Sequence, residues 1–276
     1  MTLREAYVYG QEQLANANIS DADLDAWYLL EYVTGITRTT YYLDTGKEMT
    51  PFEEVTYRAL LAKRASHIPL QHLTGVQEFM GLEFSVNEHV LIPRQDTEIL
   101  VESVLDALQP GMEVLDMCTG SGCIILSLMK LGKDIRGMGV DVSEKALHIA
   151  RQNAQKLQVE AQFLQSDLFD GVEGAYDVIV SNPPYIRTDI IRQLQEEVKF
   201  HDPMLALDGK EDGLYFYRRI VEESPKYLKK AGKLFFEIGH DQAEDVVRLL
   251  TNAGFAEVTV KKDLAGLDRV VFGVYI

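Results

Sequence analysis

The chain has 276 residues, 46% of them apolar and 25% charged, enough for one large domain or a large one with a small companion and unlike a disordered or membrane chain. Its formal net charge is −16, with six Lys and Arg against ten Asp and Glu in residues 1–75 and 21 against 33 in the remainder. Acidity in both parts excludes the broad basic footprint with which proteins neutralise nucleic-acid phosphates. Apolar runs such as Lys233–Ile238 are too short to span a bilayer, and Met1–Tyr7 lacks the apolar core of a secretory signal. Cys118 and Cys123 lie in and just after one glycine-rich turn, with no second Cys or His pair. That spacing fits neither a disulfide framework nor a zinc site, and a reduced, cytoplasmic setting is expected.

In chain order, Leu3, Ala6, Tyr7, Gly10 and Leu14 recur at helical spacing, and Ile19–Asp23 offers a cap before Leu24, Trp27, Tyr28 and Leu30. Thr50-Pro51-Phe52-Glu53 is a capping box with proline at the first helical position, opening a helix through Leu60, Leu61 and Arg64. These form a helical domain over residues 1–75, ended by Ile68-Pro69-Leu70. From Glu78 to Ile92 apolar residues alternate around Gly81 and Asn87, which predicts a β-hairpin within a linker over 76–95. A helix starting near Asp96 opens the third part, 96–276.

From residue 112, short apolar runs alternate with amphipathic stretches. Strands are expected at Glu113–Met117, Ile135–Val140, Ala161–Leu164, Tyr176–Ser181, Gly232–Glu237, Glu257–Lys261 and Arg269–Tyr275. Helices are expected at Gly122–Leu131, Ser143–Leu157, Leu214–Leu228 and Asp241–Asn252. Such alternation predicts an α/β fold with a mostly parallel sheet covered on both faces. Asp263-Leu264-Ala265-Gly266 reads as a hairpin turn, so the last strand is expected to be antiparallel.

Two motifs carry chemistry. The first is Val114–Gly122, a strand running into Cys118-Thr119-Gly120-Ser121-Gly122 and then a helix. Small residues there let backbone approach a ligand at the helix amino end. Asp141 ends the second strand, where an acid suits two ribose hydroxyls. A dinucleotide fold offers similar geometry, but the position three after Gly122 is Ile125 and not glycine.

The second motif is Ser181-Asn182-Pro183-Pro184-Tyr185-Ile186. Two prolines end the strand and stiffen the loop. The lone pair of a planar amide or arylamine NH2 is delocalised, so this group is a weak nucleophile. Acceptors at the Asn182 side-chain oxygen and the Pro183 carbonyl would take its two hydrogens and raise density on nitrogen. Tyr185 offers a flat face to a planar group. An activated methyl donor would then need no further nucleophile, only positioning and electrostatics.

The chain resembles the HemK-type protein-(glutamine-N5) methyltransferases of peptide chain release factors over essentially its whole length. The matching segments include Ile68–Gly75, Glu78–Leu82, Ile92–Glu98, the glycine loop, Ser166–Phe169, Val180–Ile186, Leu205–Gly209, Glu211–Gly213 and Asp263–Gly266. The resemblance implies a class I, Rossmann-like methyltransferase with a seven-stranded sheet, and S-adenosyl-L-methionine as cofactor. It implies that Cys118, Thr119, Gly120, Ser121, Gly122, Asp141, Leu168 and Asn182 line the cofactor site. It further implies that Asn182, Pro183, Pro184 and Tyr185 receive the glutamine of a Gly-Gly-Gln loop, with Asn182, Pro183 and Tyr185 in the catalytic roles. Release factors 1 and 2 are the implied partners, gripped in part by residues 1–75, with no stable nucleic-acid binding, no membrane and no metal.

Cys118 stands where the family usually has glycine, and Leu168 where an aromatic ring is common. Cys118 reads as packing beside the cofactor, not as a nucleophile. Asp167 reads either as a contact for the adenine amino group or as a helix cap. Phe79 and Glu98 read as pocket borders or as hairpin core and surface acid. Three rival functions are an adenine-N6 methyltransferase using the same motif on a flipped base, a binding module without catalysis, and a dinucleotide-dependent hydride transferase. Acidic charge opposes the first, the Asn-Pro-Pro-Tyr loop the second, and the missing third glycine the last.

Overall fold

The computed structural model describes residues 1–276. By packing, the chain divides into two compact units: Met1–Val76 with Gln195–His201, and Gln77–Leu194 with Asp202–Ile276.

The first unit is helical: α1 (Leu3–Asn16), α2 (Ala22–Thr34), α3 (Arg38–Leu43), α4 (Pro51–Ala65) and α5 (Leu70–Thr74). The Thr50 capping box forms as read: Thr50 Oγ1 accepts from Glu53 N at 3.2 Å, and Glu53 Oε2 accepts from Thr50 N at 2.7 Å. Asp21 does precede α2, but its side chain makes no capping hydrogen bond. Leu14, Trp27, Leu30, Tyr57 and Leu61 form the core. The helices meet closely at Gly10, where a β-carbon would collide with the Tyr57 hydroxyl. That hydroxyl donates to Ala26 O at 3.0 Å. Arg64, only 4% exposed, donates from Nε to Asp25 Oδ2 (2.6 Å) and from Nη2 to Glu197 Oε1 (2.5 Å). Glu197 lies more than a hundred residues along the chain, so this one guanidinium recruits residues 195–201 into the unit.

A two-stranded hairpin, β1 (Val76–Phe79) and β2 (Leu82–Ser85), opens the second unit from its second residue, Gln77, onward. It is shorter than the sequence pattern suggested and stops at Ser85. There the backbone turns to Asn153, whose Oδ1 accepts from Ser85 N at 2.7 Å and whose Nδ2 donates to Ser85 O at 3.1 Å. Phe79 and Phe84 are fully buried in this unit's core, so the hairpin packs as part of the unit and not as a free linker.

There follow α6 (Asp96–Leu105), β3 (Glu113–Met117), α7 (Cys123–Leu131), β4 (Arg136–Asp141), α8 (Glu144–Leu157), β5 (Gln162–Gln165) and β6 (Tyr176–Ser181). Short helices α9 (Thr188–Ile191), α10 (Glu196–His201, in the first unit) and α11 (Met204–Leu207) precede α12 (Tyr215–Glu223), β7 (Leu228–Glu237), α13 (Ala243–Asn252), β8 (Phe255–Lys262) and β9 (Asp268–Tyr275). The sheet order is β5-β4-β3-β6-β7-β9-β8, parallel from β5 to β7, with β9 antiparallel to both neighbours. This is the class I methyltransferase architecture, with the last strand reversed as expected. Inward residues alternate between two layers. Leu115, Ile179, Leu234 and Phe236 pack with Tyr217, Ile220 and Val246, while Val114, Val178, Val180 and Phe235 pack with Leu100, Ile125 and Leu128. No helix is long and apolar enough to cross a membrane.

After the hairpin, two boundaries depart from the sequence reading by more than two residues. Helix α12 ends at Glu223 because Ser224-Pro225 forms a single 3-10 turn. Strand β7 starts at Leu228 because Leu228 pairs with Tyr176 before a bulge carries the register to Lys233 opposite Val178.

Candidate active site

Parallel strands leave a crevice outside their carboxyl ends, and ligands of open α/β sheets sit there. In this chain β3, β4, β5 and β6 end around a cavity of about 130 Å³. Cys118 and Gly120 line it after β3, Asp141 and Ser143 after β4, Asp167 and Leu168 after β5, and Asn182 and Pro184 after β6.

The glycine loop is held from behind. Thr119 is buried, with its hydroxyl donating to Asp116 Oδ2 at 2.6 Å and its N–H to Val140 O at 2.9 Å. Ser121 O accepts from Asn153 Nδ2 at 2.9 Å. A β-carbon at Gly122 would press on Leu126 and Ala150 at 3.1 and 3.2 Å. Thr119, Ser121 and Gly122 therefore shape the loop without lining the cavity, whereas a β-carbon on Gly120 would meet nothing within 4 Å. Cys118 has φ 64°, the left-handed conformation that costs a residue with a β-carbon about 1–2 kcal/mol. Burial, with the nearby Asp141 and Asp116 carboxylates, pushes its thiol well up, which removes it as a nucleophile at neutral pH.

Asp141 bridges the loop and the next helix. Its Oδ2 accepts from Gly120 N and its Oδ1 from Ser143 N, both at 2.9 Å. Burial raises this carboxyl against the pull of those N–H groups. A carboxylate carries about four lone-pair sites, so these N–H contacts leave it capacity to accept from a ribose hydroxyl. Leu168 (φ 51°), Pro184 and Phe216 give the cavity an apolar wall for a flat heterocycle. Asp167 is no helix cap: its Oδ1 accepts from Arg219 Nη1 at 2.8 Å, and it lines the cavity. These residues fit an adenosine-bearing donor. No group of three His, Cys, Asp or Glu side chains is placed to hold a metal ion.

At the chemical motif, Ser181 Oγ donates to Met117 O at 2.7 Å, tying the ends of β6 and β3 together. Asn182 is half-buried, and its Nδ2 donates to Thr97 Oγ1 at 3.4 Å. Pro183 is buried behind the loop. Tyr185 packs against the sheet core and does not line the cavity; burial drives its hydroxyl well above the usual range.

The segments Leu205–Gly209 and Glu211–Gly213 brace this loop. Ile186 N donates to Leu207 O at 3.0 Å, and Gly209 N to Ile186 O at 2.8 Å. A β-carbon on Gly209 would come within 2.7 Å of the Tyr185 carbonyl carbon, and one on Gly213 within 2.5 Å of its oxygen. Gln242 Nε2 closes the brace, donating to Tyr185 O at 3.1 Å and Gly213 O at 3.2 Å.

Phe79 is core, and Glu98 Oε1 accepts from Met80 N at 2.6 Å; neither lines the cavity. Sequence reasoning missed His89–Leu91, Leu205, Ala206 and Phe216 in the lining, and Asn153 and Glu237 behind it. Only Glu237, an acid ending a strand of buried aromatics, carried a local signal.

Residues 5–75 match the family described as PrmC N-terminal domain, and residues 94–199 match the methyltransferase small domain. Among solved structures, a methyltransferase from Pyrococcus furiosus superposes with a TM-score of 0.57 at 17% identity, covering 78% of this chain and 100% of that one, which supports the fold. The release factor glutamine methyltransferase of Geobacter sulfurreducens is 39% identical over 273 residues, covering 99% of this chain and 96% of the relative. That of Clostridium acetobutylicum is 39% identical over 285 residues, covering 99% of both. With that identity running the full length of both chains, over a site that fits an adenosine-bearing donor, this chain belongs to the release factor glutamine methyltransferase family.

Proposed function

We propose that this chain transfers the methyl group of S-adenosyl-L-methionine to the side-chain amide nitrogen, N5, of the glutamine in the Gly-Gly-Gln loop of peptide chain release factors 1 and 2. The observation that carries the reading is Asn182, held through its NH2 by Thr97 on the rim of a cavity that also presents Asp141. That hold turns the Asn182 carbonyl away from Thr97, free to accept a hydrogen.

The donor, when bound, supplies a methyl carbon already activated by its sulfonium. The protein's residues do the rest by placement. Asp141 would hold the ribose diol, and Leu168, Pro184 and Phe216 the adenine. Asn182 Oδ1 and Pro183 O would take the two amide hydrogens of the glutamine, shifting density onto nitrogen and fixing its line of approach. Tyr185, braced by Gln242, Gly209 and Gly213, would keep these acceptors from drifting. The helical unit would supply contacts to the body of the release factor, remote binding that supports the chemical step. A cytoplasmic setting fits both that substrate and two unpaired cysteines.

The test incubates the protein with methyl-labelled cofactor, release factor 1 or 2, and duplex DNA. Label is expected on the loop glutamine and is expected to vanish when that glutamine is Ala. Label on DNA adenine, or persisting in the glutamine-less factor, overturns the assignment.

A further inference from the structure

An asparagine amide is nearly symmetric in shape, so the groups behind it decide which end faces the substrate. Behind Asn182 lie two. Thr97, 3% exposed in the first turn of α6, accepts from Asn182 Nδ2. The other is Glu237, 3% exposed at the carboxyl end of β7. The parallel register sets Ser181 opposite Phe236, which makes Asn182 and Glu237 neighbours at the same edge of the sheet.

Glu237 is an odd residue to bury. The strand before it, Leu234-Phe235-Phe236, is core, and a buried carboxylate needs partners. Its Oε2 finds none by hydrogen bonding. The cation whose charge bears on it, Arg269, is committed to Asp96 and Asp263, each at 3.0 Å. The Thr97 hydroxyl and the Asn182 amide both bear on this carboxylate and favour its charged form, although burial lifts its pKa to about 7. The backbone there is pinned independently, because Tyr217 Oη donates to Glu237 O at 2.9 Å. The side chain is therefore not needed to hold the strand.

Resting on the reading of Asn182 as the acceptor for the glutamine amide, we propose that Glu237 is a positioning residue for methyl transfer. Together with Thr97 it engages the Asn182 NH2 and thereby keeps the Asn182 carbonyl turned toward the substrate. A flipped Asn182 would set oxygen against the buried Glu237 carboxylate, and would offer the substrate donors where it needs acceptors. The ionised carboxylate does this work; a protonated one donates a hydrogen and favours the flip. The charged or titratable groups around Glu237 are Asp96 on α6, Cys123 on α7, Arg269 on β9, Tyr185 on the loop and Tyr217 on α12. Neither tyrosine titrates near neutrality, both being raised by burial.

The experiment measures single-turnover methylation of a release factor, KM for that factor and calorimetric cofactor affinity in wild type, Glu237→Ala, Glu237→Gln and Thr97→Val. Glu237→Ala is expected to lower the rate about a hundredfold, in line with loss of an aligned transition-state acceptor, while KM and cofactor Kd stay within about threefold. Glu237→Gln, whose carbonyl still accepts from Asn182, is expected to recover to within about tenfold of wild type and to lack the rise in rate with pH near 7 that is expected of wild type. Thr97→Val, which keeps the shape and removes the hydroxyl, is expected to repeat the rate-specific loss. A Glu237→Ala rate within twofold of wild type overturns the proposal. So does a parallel loss of cofactor binding in both Glu237 variants without rescue by Gln, the mark of a structural role. Wild type that methylates no glutamine overturns the parent reading and this proposal with it, whereas an active wild type with an indifferent Glu237→Ala overturns this one alone.

Discussion

The most deeply buried charges of the two units differ in how completely they are hydrogen-bonded. In the helical unit Arg64 is surrounded: Asp25 and Glu197 take two of its nitrogens, and Ile68 O accepts from Nη1 at 3.2 Å. In the sheet unit Asp116 and Glu237 are each buried with one oxygen lacking a hydrogen-bond partner, and burial lifts both carboxyls to about 7. A charge that ties distant stretches of chain together is compensated on every side, because an orphaned ion there costs more than the link returns. Acids beside a cavity are left partly unanswered, and residual demand of that kind orients neighbours and ligands. Compensation marks architecture; deficit marks the site.

The sharpest break of this contrast is Arg64→Met. It strands Asp25 in the helical core, and urea unfolding should report a loss of about 3–5 kcal/mol. Adding Asp25→Leu should return much of it. A loss below about 1 kcal/mol for the single variant would show that Arg64 is ornamental.

Asp116→Asn probes the other side. The wild-type carboxyl sits at about 7 when folded, against about 4 when unfolded, because of burial. Between those values the folded state holds the extra proton, so this group's contribution to wild-type stability is fullest below about pH 4 and falls as pH rises through 7. Asparagine cannot ionise, so the variant should gain on wild type across that window, by about 4 kcal/mol at most. Parallel stability curves for the two proteins would refute the deficit at Asp116.

Asn182→Ala should lower the methylation rate about 10²–10³-fold while cofactor Kd moves less than about fivefold. Near-normal single turnover would remove Asn182 from the chemistry. Asp141→Ala should weaken cofactor binding about ten- to a hundredfold, as expected for hydrogen bonds to a charged group of about 1.5–3 kcal/mol. An unchanged calorimetric Kd would move the ribose contact elsewhere.

What was legible in the sequence is what is decided locally. Strands Glu113–Met117 and Tyr176–Ser181 were read to the residue, because glycine or proline bounds them and most of their residues are apolar. The Thr50 capping box was legible because its partners are three residues apart. The end of α12 was legible too, since Pro225 announces it, and the longer reading ignored that signal. The start of β7 was hidden, because Lys229 and Lys230 interrupt the apolar pattern on the way into the bulge. The motif residues Gly120, Asp141 and Asn182 were found because their residue types are unusual at strand ends. Asn153, behind the glycine loop, and Thr97, bonded to Asn182, come from far along the chain and leave no local trace, and Glu237 shows itself only as an acid ending a buried strand.

The position of β9 has a consequence for how the protein is made. β9 follows β8 in the chain yet lies between β7 and β8, so as the chain emerges from the ribosome β8 has no place in the sheet until β9 arrives. Until then β7 exposes an edge ending at Glu237, a buried acid still waiting for the cation that β9 brings. That cation is Arg269, the second residue of β9, which also bonds Asp96 and Asp263. Vectorial synthesis therefore leaves the electrostatics of this sheet edge for last, whereas the helical unit has all its residues once 195–201 have emerged.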